Sequence, residues 1–187
     1  MLIGITGEMG SGKTTLANIL ANKYGFAVIH GDEVAHAALT LERYNEVLSW
    51  FDVAPSDHVD RKFLGHLLFA NDQLREKYDA YIYPPIKEMV DAIMENSQNN
   101  NFVIDWNFLP KTPLKDECDL TILMKCSESL RRKRVKLRDN IDDDYFTMRN
   151  KACLKYDDSD YDLIFVNEGE YALEESVKKC LEEKIWK

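Results

Sequence analysis

The sequence predicts a three-layer α/β domain built on a five-stranded parallel sheet. Three observations lead there. Short apolar segments recur along the chain, helical patterns separate them, and the first segment runs straight into a glycine-rich loop that opens a helix. With 187 residues and 45% of them hydrophobic, the chain is sized for one domain, and a chain of this length buries about 70% of its unfolded surface.

Composition narrows the function classes. Lys and Arg number 24 against 33 Asp and Glu, a net charge of −9, which argues against nucleic acid as the main partner because that affinity depends on neutralising phosphates. No apolar run nears the roughly 18 residues of a membrane span, and residues 1–7 lack the pattern of an export signal. The expectation is a cytoplasmic chain with no membrane partner, a monomer or weak oligomer. Cys118, Cys126, Cys153 and Cys180 contain no C-x-x-C pair and read as reduced thiols in or near the core.

Residues 2–6 are apolar and β-branched, the first strand. The pattern resumes as a helix over 13–24, where Leu16, Ile19, Leu20 and Tyr24 recur at helical spacing. Residues 26–30 form the second strand candidate, followed by an N-cap signal at Asp32 and a helix through Val34, Ala35 and Ala38. Residues 41–100 lack a convincing strand and read as a helical insert with breaks at Ala54-Pro55-Ser56 and at Tyr83-Pro84-Pro85, where tandem prolines should interrupt or redirect a helix. Strands return at 101–105, 120–125 and 163–167. A helix pattern fills 128–139 after Ser127, another starts at Asp142-Asp143-Asp144, and 171–186 is helical in character.

Gly7-Glu8-Met9-Gly10-Ser11-Gly12-Lys13-Thr14 fits G-x-x-x-x-G-K-[ST] between a predicted strand and a predicted helix, the context that gives this motif its meaning. Glycines let successive N–H groups from Glu8 to Thr14 turn toward phosphate oxygens, and the helix N-terminus adds a positive dipole end. Lys13 is suited to the β and γ phosphates of ATP and the Thr14 hydroxyl to Mg²⁺. Thr15 reads as a further phosphate contact or as helix packing.

Two carboxylates follow strand ends, where parallel sheets bind ligands. Asp32, just past Val28-Ile29-His30-Gly31, could act as the base or orienting carboxylate for an acceptor hydroxyl, as an outer-shell metal oxygen, or as a helix N-cap. Asp105 ends the Phe102-Val103-Ile104 strand and reads equally as a metal-water ligand or as simple strand termination. His30 and His36 flank Asp32 and read as structural.

Residues 131–138 hold six cations in eight positions of an acidic chain. On a helix, Arg131, Arg134 and Arg138 fall within an arc of about 60°, predicting one row of guanidinium groups facing a phosphate from a lid over 127–150. Arg134 and Arg138 are the favoured phosphate contacts, with Arg138 counted as catalytic beside Lys13 and Asp32. Arg132, Lys133 and Lys136 read as a solvated face with carboxylate partners among Asp139, Asp142, Asp143 and Asp144.

With these features in place, the chain resembles the dephospho-coenzyme A kinase family of P-loop kinases. The likeness is carried by Ile3-Gly4-Ile5-Thr6-Gly7 through Thr14, by residues 28–36, by Leu64-Gly65 with Phe69, by Tyr83-Pro84-Pro85-Ile86, by Arg134 through Arg138-Asp139, and by residues 162–169. The resemblance implies a P-loop kinase fold, ATP-dependent phosphorylation of the ribose 3′-hydroxyl of dephospho-coenzyme A, and Asp32 as acid-base residue. It further implies that the insert binds the acceptor, that the arginine helix is the lid, and that Asn167 lies near the adenine. The chain departs from the family pattern at His30, at Tyr83 and at Asn107-Phe108-Leu109-Pro110-Lys111. These departures fall on the acceptor side. A nucleotide or nucleoside acceptor therefore stays open, as does a P-loop module that binds nucleotide without transferring phosphate.

Overall fold

The structure is a computed structural model that describes residues 1–140, 142–151, 154–169, 174–175 and 177–178. In chain order its elements are β1 (Leu2–Gly7), α1 (Lys13–Tyr24), β2 (Ala27–His30), α2 (Gly31–Ala38), α3 (Leu41–Ser49), α4 (Arg61–Phe69), α5 (Asp72–Glu95), β3 (Phe102–Asp105), β4 (Leu120–Lys125), α6 (Glu128–Asp139), α7 (Asp143–Lys151) and β5 (Leu163–Val166). The chain divides into two compact units, Met1–Gly31 with Gln98–Lys187, and Asp32–Ser97. Most of the helix expected over 171–186, and Cys153 and Cys180, lie outside the described residues.

The first unit carries the sheet. Its five strands are all parallel in the order β2-β3-β1-β4-β5. β1 is central and buried at every position, which explains why these strands read as continuous apolar runs rather than alternating ones. On one face Ile3, Ile5, Val103, Ile122 and Phe165 join Leu16, Ala17 and Leu20 of α1 in a single apolar cluster. On the other, Leu109 and Cys118 pack directly over Gly4, and short 3₁₀ turns at Leu109–Lys111 and Pro113–Lys115 bury Leu109 and Leu114. After β1 the chain fills one side of the sheet with β2 and β3 and the other with β4 and β5. The winding changes direction around β1, and such sheets hold ligands at the carboxyl ends of the strands beside that point.

The second unit is helical. Thr40, Asp60 and Asn71 cap α3, α4 and α5 by accepting backbone N–H bonds, each cap worth about 1 kcal/mol. The break at residues 54–56 is present, and Asn45 holds it from α3: its carboxamide donates to Ser56 O at 3.0 Å and accepts from Ser56 N at 2.8 Å. Trp50 and Tyr81 pack edge to face at 5.3 Å, with Lys77 Nζ 3.9 Å from the Trp50 ring centre.

Two sequence expectations need correction. The tandem prolines do not interrupt a helix: Pro84 and Pro85 lie inside α5, which runs through 24 residues. They remove two ladder donors, but Ile82, Ile86 and Val90 are buried at four-residue intervals, and this apolar stripe anchors the helix on both sides. The helix after β2 also starts earlier than a cap at Asp32 would set it, at Gly31 rather than Glu33. β2 passes into α2 at Gly31 with no intervening loop, so Asp32 stands in the first turn rather than at the cap. Gly31 permits this because a Cβ there would fall within the Trp106 side chain.

Candidate active site

The loop between β1 and α1 is closed by its own backbone and by Lys13. Ser11 N–H donates to Glu8 O at 3.1 Å, and the Lys13 ammonium donates to Gly7 O at 3.0 Å and Glu8 O at 3.3 Å. The ammonium is therefore folded back over the loop, at the rim of a cavity of about 240 Å³ lined by Gly10, Gly12, Lys13, Thr14, Thr15, Arg134 and Arg138. The glycine-rich turn, the start of α1 and the arginines of α6 thus meet around one space. Thr15 is exposed there, so helix packing is not its role.

Behind the loop, the Thr14 hydroxyl donates to Asp105 Oδ2 at 2.6 Å. Asp105 ends β3 and is 7% exposed, and strand register sets His30 beside it, with His30 Nδ1 3.8 Å from the same oxygen. Asp32 belongs to the other unit, two residues along the chain from His30.

The arginine row divides. Arg134 spans the loop and the segment after β5: Nη1 donates to Gly10 O and Asn167 O, both at 3.4 Å, and Nη2 to Asn167 Oδ1 at 3.2 Å. Arg138 reaches the cavity wall, but Asp139 holds its guanidinium through both Nε (2.6 Å) and Nη2 (2.7 Å). This hydrogen bond raises the Arg138 pKa and holds the Asp139 carboxyl below the usual range. Arg131 does not join the row. It is 3% exposed and turned inward, so the expected single file of three arginines is two. Arg132 pairs with Glu128 at 2.7 Å and Asp143 at 3.1 Å.

Comparisons with known proteins show the family. The family model described as dephospho-CoA kinase matches residues 1–170. The chain belongs to the dephospho-CoA kinase family. It is similar to the dephospho-CoA kinase of Borrelia garinii subsp. bavariensis, at 26% identity with 99% of this chain and 95% of that one covered. It is also similar to that of Clostridium tetani, at 27% identity with 93% and 80% covered. Among solved structures, a protein of Thermus thermophilus superposes with a TM-score of 0.82 at 22% identity, covering 98% of this chain and 97% of that one, a likeness of fold.

The positions where the chain departs from the dephospho-CoA kinase pattern have definite places. His30 is the neighbour of Asp105 just described. Tyr83 lies on α5, its hydroxyl pushed up in pKa by burial and then by Asp79. The Asn107 carbonyl accepts from the Thr6 hydroxyl at 3.2 Å and the Tyr156 hydroxyl at 3.1 Å, and residues 109–111 turn as a 3₁₀ helix that buries Leu109.

Among the described residues no group of three or more His, Cys, Asp or Glu side chains could hold a metal by itself. Thr14 and Asp105 nevertheless fit Mg²⁺, because their donors are hard oxygens and Mg²⁺ in nucleotide sites keeps waters and takes one or two protein ligands plus substrate phosphates. Burial pushes the Cys118 thiol up to about 12, an inert structural cysteine. Cys126 is buried beside Arg134, and burial raises its pKa against the pull of that arginine. No described helix is long and apolar enough to cross a membrane.

Two site features escaped the sequence. Asn167 is 5% exposed and spends its side chain on the loop, donating Nδ2–H to Ser11 O at 2.9 Å while its Oδ1 receives Arg134. Nothing in an isolated Asn after a strand signals this. The ion pair of Arg131 with Glu8, 3.1 Å apart, did leave a signal: an acidic side chain inside a phosphate-binding loop repels its ligand unless a cation neutralises it.

Proposed function

We propose that the chain transfers the γ-phosphoryl group of ATP to the ribose 3′-hydroxyl of dephospho-CoA, releasing ADP and CoA. The observation that carries this reading is the meeting of Lys13, Thr14, Arg134 and Arg138 around one cavity, with Asp105 bonded to Thr14, in a chain of this family. A cytoplasmic setting, where ATP is made and thiols stay reduced, goes with it.

Phosphoryl transfer asks the protein mainly for positioning and charge. In this reading the loop N–H groups and Lys13 hold the β and γ phosphates, and Lys13 exchanges its loop carbonyls for phosphate oxygens as ATP enters. Arg134 and Arg138 face the charge that spreads over the transferring group. Asp32 accepts the proton of the attacking hydroxyl; its support is its place in the chain, two residues past the carboxyl end of β2. Thr14 and Asp105 are the residues that would hold Mg²⁺. When bound, the metal neutralises charge between the β and γ phosphates.

The test is ADP release with Mg-ATP and a panel of dephospho-CoA, nucleosides and nucleoside monophosphates. Turnover with dephospho-CoA alone is expected; turnover with another acceptor in its place would show a nucleotide or nucleoside kinase. Asp32→Asn should lower acceptor-dependent ADP release by about 10²- to 10⁴-fold while leaving ATP affinity unchanged. An Asn variant as fast as the parent would remove Asp32 from the role of base.

A further inference from the structure

Arg131 is the buried charged side chain of α6 among the described residues, and it is not among the residues that line the cavity. Its Nη2 pairs with Glu8 Oε1 at 3.1 Å, and its Nη1 donates to Met9 O at 3.3 Å and Asn150 Oδ1 at 2.9 Å. Its Nε donates to Cys126 O at 3.3 Å, and the Phe146 ring lies 5.8 Å away. One guanidinium therefore joins the phosphate loop, the end of β4 and α7. Such a planar fork of five donors fixes relative orientation in a way a single ammonium cannot.

Two further contacts make the junction consequential. The Glu8 carbonyl accepts from the Lys13 ammonium and from Ser11 N–H, so the residue whose side chain Arg131 holds also supplies a carbonyl on which Lys13 rests. Gly10 lies directly against α6: a Cβ there would come within 2.9 Å of Val135 Cγ2 and 3.0 Å of Arg131 O. Loop and helix are in contact at the backbone of the very residue whose side chain reaches around to Glu8. At the far end of the junction, Asn150 Nδ2 donates to Glu128 Oε2 at 3.3 Å, which ties α7 back to the first turn of α6.

We propose that Arg131 is a positioning residue that couples α7 to the phosphate loop, so that the set of the loop for ATP depends on Asn150 acting through Arg131 on Glu8. The proposal rests on the ATP-binding reading of the loop. Glu8 and Asn150 each bond to Arg131 and not to one another, which lets the coupling be isolated by a double-variant cycle.

The experiment measures equilibrium ATP affinity and steady-state kinetics for the parent, Glu8→Gln, Asn150→Ala and the pair, with thermal unfolding alongside. These substitutions keep Arg131 in place, and the amide oxygen of the Glu8→Gln variant can still accept from it. Each single variant is expected to weaken ATP binding and raise the KM for ATP more than it lowers kcat. The pair should fall short of the product of the single effects by about 3-fold or more. Affinities that multiply, or that stay at the parent value while only the Tm falls, would overturn the coupling and leave Arg131 as packing. A parent protein that binds no ATP would instead overturn the functional reading itself, so the two failures are distinguishable.

Discussion

The two ends of α6 use the same residue type in opposite ways. Arg131, near its start, is 3% exposed and bonded to the phosphate loop, the end of β4 and α7. Arg138, near its end, has a side chain 62% exposed and is clasped, among the described residues, by the neighbouring Asp139. The difference lies in the surroundings. At the first end four acceptors converge from separate segments, so the charge is neutralised by structure. At the second, the half-exposed carboxylate of Asp139 holds the guanidinium beside the cavity, where a solvated pair is worth under about 1 kcal/mol. One arginine is buried against the loop; the other stays accessible beside the cavity.

The comparison breaks most visibly at Arg131. Arg131→Met strips Glu8 of its counter-charge and leaves the Asn150, Met9 and Cys126 oxygens without their donor, and should cost about 3 kcal/mol of stability, at about 1 kcal/mol for each hydrogen bond lost. Urea unfolding would measure it; a loss under about 1 kcal/mol would place this pair with ordinary surface bridges. Arg138→Ala should do the reverse, lowering kcat by about 10²-fold, the usual loss for one donor to transition-state charge, with the urea midpoint nearly unchanged. A midpoint shift as large as that of Arg131→Met would erase the distinction between the two ends.

The smallest effect concerns pH. Because the Arg138 hydrogen bond holds the Asp139 pKa below its ordinary value of 3.8, the pair stabilises the fold at neutral pH, and that contribution disappears as pH falls below the ordinary value and through the lowered one. The pair is solvated, so the contribution is under about 1 kcal/mol and shrinks with salt. Unfolding of Asp139→Asn and its parent at pH 7 and pH 3 should therefore differ by more at pH 7. An equal difference at both would show that the carboxylate's charge is immaterial.

Much of this was written in the sequence, for reasons that can be named. The central strands β1, β3 and β4 are buried on both faces and so largely apolar, and all five strands stand out as runs within one or two residues of their observed limits. The phosphate loop is local, its geometry dictated by eight consecutive residues. What the sequence hid is non-local. A helical wheel puts Arg131 beside Arg134 and Arg138, but the wheel contains no Glu8, and only the folded chain shows which carboxylate lies within reach. The partners of Asn167 are hidden likewise, since Ser11 and Arg134 are 156 and 33 residues away. The prolines of α5 misled for another reason: their local cost is real, and the buried stripe of Ile82, Ile86 and Val90 outweighs it.

The place of the helical unit in the chain also bears on how the sheet assembles. β2 and β3 are hydrogen-bonded neighbours, yet all of Asp32–Ser97 lies between them in sequence. Joining these strands from an unfolded chain closes a loop of about 70 residues, an entropic cost near 4 kcal/mol by ideal-chain scaling. If the capped helices of the insert form first, that long flexible loop becomes a short, stiff one. The helices are made of local contacts and the strand pair of distant ones, so the order of folding should run from helices to sheet. The His30–Asp105 neighbourhood, where the two strands end, would then be among the last parts of the molecule to take shape.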